Sequence, residues 1–332
     1  MNSKNILEEY SKKQKIICVV GPTASGKTEL GVLLAKHFNG EVISADSMQI
    51  YRDMHIASAA PDLSEMQGVT HHLVEFLDYG ETFTVADYVK SARKKIFEIT
   101  SQGKMPIIVG GTGLYISSLV NNVEFTENEA DYDLRRRITE EFDREGGAYM
   151  LEKLRKIDPE TANKLHENDK RRIIRAFEIY ESTGNTKSFN DKMSVKNESP
   201  YSAVMIGITY RDREKLYERI NMRVDIMIKS GLLDEVKSLI DMGYTTALNS
   251  MKAIGYKELI DYFDGKSTLD DAVEIIKQSS RRYAKRQLTW FRRDERIIWL
   301  DAEADIVNEA YKAVKEKHPN IKIAEMETAG SP

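Results

Sequence analysis

Gly21, Pro22, Thr23, Ala24, Ser25, Gly26, Lys27 and Thr28 spell GPTASGKT directly after the apolar run IICVV. Glycine, four free positions, glycine, lysine and a hydroxyl residue, placed after a strand and opening a helix, make the pattern of a phosphate cradle. The glycines let backbone N–H groups turn inward, the helix N-terminus adds positive potential, and Lys27 supplies a point charge. Thr28 offers its hydroxyl to Mg²⁺. A tight turn with an incidental lysine is the bland alternative, and the flanking strand and helix argue against it.

The next question is what happens to the phosphates. A motor ATPase or GTPase needs an apolar strand ending in a metal-ordering aspartate. PIIVGG ends in glycines instead. The strand that ends in aspartate is EVISAD, and it sets Asp46 at the carboxyl edge of the sheet, where open α/β sheets bind ligands. A carboxylate facing a phosphate cradle can serve a metal or act as a general base. Capping the turn of DSMQIY is its structural alternative. These residues favour group transfer over motor-type hydrolysis and leave the acceptor open. VGGTGLY follows the third strand on the same edge. Its Gly110, Gly111 and Gly113 permit close backbone approach to a ligand, and Thr112 adds a hydroxyl.

Positioning these residues takes parallel βα units, and the chain supplies them. From Ile16 short apolar runs alternate with helical stretches. IICVV, EVISA, PIIVGG, AVMIGITY and RIIWLD read as strands; KTELGVLLAKHF and TVADYVKSARKKIFEITSQG read as helices. Between about Asn122 and Pro200 the charge density rises and apolar residues fall at helical spacing. The expected organisation is therefore an α/β core of parallel strands flanked by helices, residues 1–122 and 201–317. An all-helical insertion occupies 123–200, and a weakly patterned, mobile tail 318–332. The 332 residues are 41% hydrophobic, enough for two units with their own cores.

The single cysteine, Cys18, excludes a disulfide framework and a thiol-based zinc site, and fits a reducing cytoplasm. The charged start MNSKNILEEYSKKQK has no leader-like apolar region, and no apolar run approaches the roughly 20 residues that span a bilayer. Lys and Arg number 49 against 53 Asp and Glu, a formal charge of −4, so nonspecific polyanion binding by the whole surface is not expected. Local basic faces are. Six of the thirteen residues from Arg281 to Arg293 are Lys or Arg, interleaved with Tyr283, Trp290 and Phe291. DLRRRI (133–138) and DKRRIIRAFEI (169–179) add two more clusters. A solvated amphipathic helix explains any one of these; three together suggest a localised polyanion footprint. Arg219 and Arg223, four apart, share a helix face and could clamp a second phosphate or pair with Glu218 and Asp225. His71 and His72 lack partner ligands at metal spacing and read as structural.

GPTASGKT, ISADSMQIYR, VGGTGLY, NDKRRIIRAFEI and KRQLTWFR stand in the order found in tRNA dimethylallyltransferases (tRNA isopentenyltransferases), which the chain resembles from about Ile16 to Leu300. A generic phosphate-loop protein would not also carry DSMQIYR and KRQLTWFR. The resemblance implies a P-loop NTPase-like core with an inserted helical tRNA-binding domain. It implies transfer of a dimethylallyl group from dimethylallyl diphosphate to N6 of the adenosine immediately 3′ of the tRNA anticodon, with Mg²⁺ as cofactor. The opening loop and Arg223 would then hold a diphosphate leaving group rather than ATP, Lys27 neutralising its charge. Asp46 matches the general base, and Thr112 the threonine near acceptor and pyrophosphate. By the same match the anticodon stem-loop would lie along Asp46, Ser47, Met48, Gln49 and Thr112; Leu134 and Arg135; and Arg171, Arg172 and Arg175. It would continue along Lys252, Gly255 and Tyr256, and along Lys285, Arg286, Gln287, Trp290 and Arg292. Lys252 stands where some relatives carry arginine. The absence of a C-terminal Cys/His zinc finger fits the bacterial type, a cytoplasmic monomer. Rival readings are an adenylate isopentenyltransferase, a small-molecule kinase and a noncatalytic RNA-binding module.

Overall fold

The computed structural model describes residues 13–78, 80–125, 131–194, 198–248 and 250–324. The chain opens with β1 (Gln14–Val20), α1 (Lys27–His37), β2 (Gly40–Ser44), α2 (Leu63–Met66), β3 (His71–His72), α3 (Val85–Ser101), β4 (Met105–Gly110) and α4 (Gly113–Val120). Five helices follow: α5 (Tyr132–Glu145), α6 (Gly147–Ile157), α7 (Pro159–Ala162), α8 (Lys170–Thr183) and α9 (Lys187–Ser194). The last third contains β5 (Tyr201–Thr209), α10 (Arg213–Lys229), α11 (Leu232–Asp241), α12 (Tyr256–Phe263), α13 (Leu269–Phe291), β6 (Ile297–Asp301) and α14 (Ile306–Lys317). The six strands form one sheet in the order β3-β2-β4-β1-β5-β6, every pair parallel.

β1 lies between β4 and β5, with Cys18 opposite Ile108 on one side and Met205 on the other. A parallel strand in that place is covered on both faces, which is why it reads as an uninterrupted apolar run. Its alternate residues serve two cores. Ile16, Cys18 and Val20 pack with Ile43, Ile96, Ile108 and Leu119. Ile17 and Val19 pack on the other face with Leu30 and Leu34 of α1 and Val314 of α14. A third core joins Ile50 and Met54 to Val224, Leu232, Leu259 and Ile276.

The contacts divide the chain into two compact units, residues 1–120 with 200–332, and residues 121–199. The second has its own core of Ile138, Phe142, Met150, Leu154, Ile173 and Phe177, and among its described residues there is no strand. The tail begins differently from the sequence expectation. His318 is buried with Nε2 3.0 Å from the Ser202 carbonyl, Ile321 packs on the core, and the Ala324 amide donates to the His37 carbonyl at 2.8 Å. Residues 318–324 are thus tied down by a buried side chain and backbone bonds that no periodic pattern announces; the rest of the tail lies outside the described residues. β3 was not legible either, being two residues long. His71 Nδ1 lies 2.9 Å from the Val69 carbonyl, and His72 Nε2 lies 2.6 Å from Glu41 Oε2, whose other oxygen accepts from Lys104 Nζ at 2.5 Å.

Candidate active site

The phosphate loop links β1 to α1. Gly26, the residue before α1, sits in the left-handed region at φ 90°, which glycine adopts without the penalty a Cβ carries, and no side chain caps the helix. The first-turn N–H groups of α1 are left for an anion. Inside the loop Lys27 Nζ and Ser25 Oγ both donate to the Pro22 carbonyl, at 2.5 and 2.8 Å. Arg223 of α10 donates to Thr23 Oγ1 at 3.3 Å, and Arg219, one turn earlier, donates to the Ala24 carbonyl at 3.2 Å. Arg219 therefore braces the loop rather than pairing with Asp225, which takes Lys277 at 2.8 Å.

The loop forms one wall of a cavity of about 380 Å³ at the carboxyl ends of β1, β2 and β4. Thr28, Asp46, Thr23, Arg223, Lys252 and Tyr283 all line it together with Lys27. Burial, and then the charge of Arg223, lower the Lys27 amine from 10.5 to about 7, the Asp46 carboxylate pulling the other way. Arg223 is lowered by burial, again opposed by Asp46. Two half-buried cations facing one carboxylate make a site prepared for a polyanion. Ile220, Val224, Met227 and Ile276 add an apolar lining.

Asp46 stands in the turn after β2. Its Oδ1 accepts the Met48 amide at 2.9 Å, so it caps its own turn while also lining the cavity. The Ser47 amide donates to Thr112 Oγ1 at 3.0 Å and the Thr112 amide to the Ala45 carbonyl at 3.0 Å, which joins the two turns on the sheet edge. Thr112 thus holds the Asp46 turn directly.

α13 closes another side. Gln287 Oε1 accepts the Thr23 amide at 2.8 Å and its Nε2 donates to the Gly111 carbonyl at 3.0 Å. A Cβ on Gly111 would lie 2.1 Å from Gln287 Nε2, and one on Gly113 2.2 Å from the Trp290 ring. Gly111 and Gly113, expected to admit a ligand, admit this helix instead, while Gly110 packs on the Ala45 backbone and lines the cavity. Gln287, expected along the tRNA, lines the cavity but is only 5% exposed, and its amide stitches the phosphate loop to the β4 turn. Tyr256, also expected along the tRNA, is fully buried and donates its hydroxyl to Glu235 Oε1 at 2.7 Å.

The other expected tRNA contacts fall into groups. Ser47, Met48, Gln49, Lys252, Gly255 and Arg286 line the cavity. Lys285, Trp290 and Arg292 are exposed, and Arg286 lies over the Tyr283 ring at 5.5 Å. Within residues 121–199, Arg171 and Arg172 are exposed, Arg172 3.8 Å from Asp169. Leu134 packs into that unit's core. Arg135 grips the buried Glu178 with two nitrogens and Arg175 reaches it at 3.2 Å, so both bind a carboxylate of their own unit. In DLRRRI, Arg136 and Arg137 are likewise paired, with Asp133 and Glu181. Spacing could not reveal the partners of Arg135 and Arg137, which lie on another helix, whereas Arg175–Glu178 and Arg136–Asp133 are three apart on one helix.

Sequence reasoning missed Tyr283 and the segment Ala57–Ser58–Ala59 as cavity lining. Tyr283 carried a signal, four residues before Gln287 on the same stripe; the alanines carried none. Burial, then the Asp46 charge, raise the Tyr283 phenol, which stays protonated. As for a metal, no group of three or more His, Cys, Asp and Glu stands ready among the described residues. The Thr28 hydroxyl and the Asp46 carboxylate are hard oxygen donors beside the phosphate loop. They fit Mg²⁺, which takes few protein ligands and completes its shell with substrate phosphate and water.

A parallel sheet with a phosphate loop after β1, a carboxylate in the turn after β2 on the same sheet edge and a cation-lined cavity defines a phosphate-loop group-transfer protein. Within that class, residues 49–294 match the IPP transferase family, and the chain belongs to it. It is 52% identical over 289 residues to the tRNA dimethylallyltransferase of Bacillus subtilis (strain 168), covering 87% of this chain and 91% of that one. It is 47% identical over 288 residues to the tRNA dimethylallyltransferase of Acetivibrio thermocellus, covering 87% and 92%. Among solved structures, the full-length tRNA isopentenylpyrophosphate transferase from Bacillus halodurans aligns with a TM-score of 0.68 at 44% identity, covering 92% of this chain and 98% of its own. A eukaryotic dimethylallyltransferase acting on tRNA aligns with a TM-score of 0.79 at 30% identity, covering 94% and 81%.

Proposed function

We propose that this protein transfers a dimethylallyl group from dimethylallyl diphosphate to N6 of the adenosine immediately 3′ of the tRNA anticodon. The observation that carries this reading is the convergence of Lys27, Arg223 and Asp46 on one cavity with an apolar lining. In the reaction the N6 lone pair bonds to the donor's allylic C1, the C1–O electrons leave with diphosphate, and the N6 proton passes to Asp46. An allylic diphosphate departs once its growing negative charge is neutralised, and the loop amides, Lys27 and Arg223 would supply that neutralisation. Thr28 would hold Mg²⁺, which would supply further neutralisation of the leaving anion. The adenine must leave the anticodon-loop stack to reach Asp46, as bases undergoing chemistry do. The exposed Lys285, Trp290 and Arg292 on and beside α13 suit phosphates and unstacked bases.

We read the protein as a cytoplasmic monomer, and its relatives are named as acting on tRNA. No helix among the described residues is long and apolar enough to cross a membrane. Incubation with radiolabelled dimethylallyl diphosphate and either unmodified tRNA or AMP tests the reading. Label is expected in tRNA, at the adenosine next to the anticodon. Label in AMP alone would replace it with synthesis of a free prenylated nucleotide.

A further inference from the structure

One wall of the cavity is Ala57–Ser58–Ala59, part of a segment without regular secondary structure. Small side chains leave its position to its backbone, and that backbone is held from outside the cavity. The amides of His55 and Ile56 donate to Glu235 Oε2 at 3.0 and 2.7 Å, and that of Ala57 to Oε1 at 3.4 Å. Three successive amides turned onto one carboxylate make an anion-binding concavity, here filled by a side chain of α11 some 180 residues away. Oε1 also accepts the hydroxyl of Tyr256, and the Ala57 and Ser58 amides reach that phenol in turn. Gly255 lets α12 close on the segment, since a Cβ there would lie 2.9 Å from the Ala57 Cβ. At its far end the Ala59 carbonyl accepts Gln49 Nε2 at 2.8 Å, three residues beyond Asp46.

We propose that Glu235 is a positioning residue for the transfer reaction. Through the 55–57 amides it fixes the cavity wall, and through Ala59 and Gln49 it fixes the turn that carries Asp46. It touches neither donor nor acceptor, and it rests on the function proposed above. Charge-assisted bonds to consecutive amides hold a loop more rigidly than neutral ones. A displacement of about 1 Å in a reacting geometry can lower turnover by about 10²-fold.

Glu235→Gln keeps the shape of the side chain but removes its charge and one of its acceptor oxygens; Tyr256→Phe removes only the hydroxyl. The test measures kcat per donor-binding site, found by titration, alongside tRNA affinity and hydrogen exchange of amides 55–57. For Glu235→Gln the expectation is kcat per titrated site about 10- to 100-fold lower, tRNA affinity within about twofold of the parent, and faster exchange at 55–57. Tyr256→Phe should give a smaller loss of the same kind. A merely structural role would reduce the number of sites and leave kcat per site unchanged, and that result overturns the proposal. If Glu235→Gln does not fold, Tyr256→Phe decides alone by the same readings. Wild-type protein without prenyl transfer would sink the assigned reaction and not the clamp. The clamp then stands on exchange, and parental protection of amides 55–57 in the variant would overturn it.

Discussion

Lys27 and Asp46 line one cavity, and the opposite jobs proposed for them each have a measurable consequence. Asp46→Ala would remove the proposed proton acceptor while leaving the exposed basic residues in place. Its single-turnover rate should fall about 10²–10⁴-fold with little change in tRNA affinity; equal losses in both would remove Asp46 from the role of base. Lys27, lowered to about 7 by burial and Arg223, is partly neutral near neutrality before a ligand arrives. A diphosphate favours the protonated amine. Below pH 7 the proton is already present, and this group leaves donor affinity flat. Above pH 7 binding must take the proton up, so affinity falls as pH rises, by at most about tenfold per unit, until the pKa of the complex is passed. Calorimetry of dimethylallyl diphosphate binding at pH 8, in buffers of different ionisation enthalpy, should register close to one proton taken up. Lys27→Arg, always charged, should register none from this site.

Among the elements, α13 carries the most. Its inner stripe, including Ala272, Ile276, Ala284, Gln287 and Phe291, is buried, and its outer face presents Arg282, Lys285 and Arg286. The pattern of apolar and basic residues is local, so helix, stripe and charged face were all readable in order along the chain. That Gln287 belongs to the stripe as a tie between two turns was not. Arg282→Ala and Arg286→Ala should each weaken tRNA binding and reduce the slope of log affinity against log salt by about 1. A slope unchanged in both would make this face an ordinary solvated one.

At the scale of the whole molecule, residues 121–199 keep a separate core, and a buried carboxylate adds an acid sensitivity to it. Burial pushes the Glu178 carboxyl upward, but the hydrogen bonds from Arg135 and Arg175 prevail and leave it below the ordinary 4.5. A folded-state value below the unfolded one adds stability that is full above about 4.5 and is lost as pH falls through the folded value. Thermal unfolding of the protein should therefore include a transition that weakens below pH 4.5, with Glu178→Gln flattening that dependence. An identical acid profile in the variant would assign the sensitivity elsewhere.

The amino-acid sequence by itself determined what depends on neighbours along the chain. The phosphate loop between strand and helix, Asp46 at a strand end, the parallel order of βα units and the helical insertion all rest on apolar periodicity and local turn residues. Tertiary structure alone decided which groups face the cavity and which are consumed inside. Gln287 bonds Thr23 across 264 positions, Glu235 holds His55 across 180, and Arg135 reaches Glu178 from another helix. Contacts at such separations leave no period or spacing in the chain. The same glutamine, tyrosine or arginine can meet a ligand or a buried partner, and the packing of distant helices selects between them.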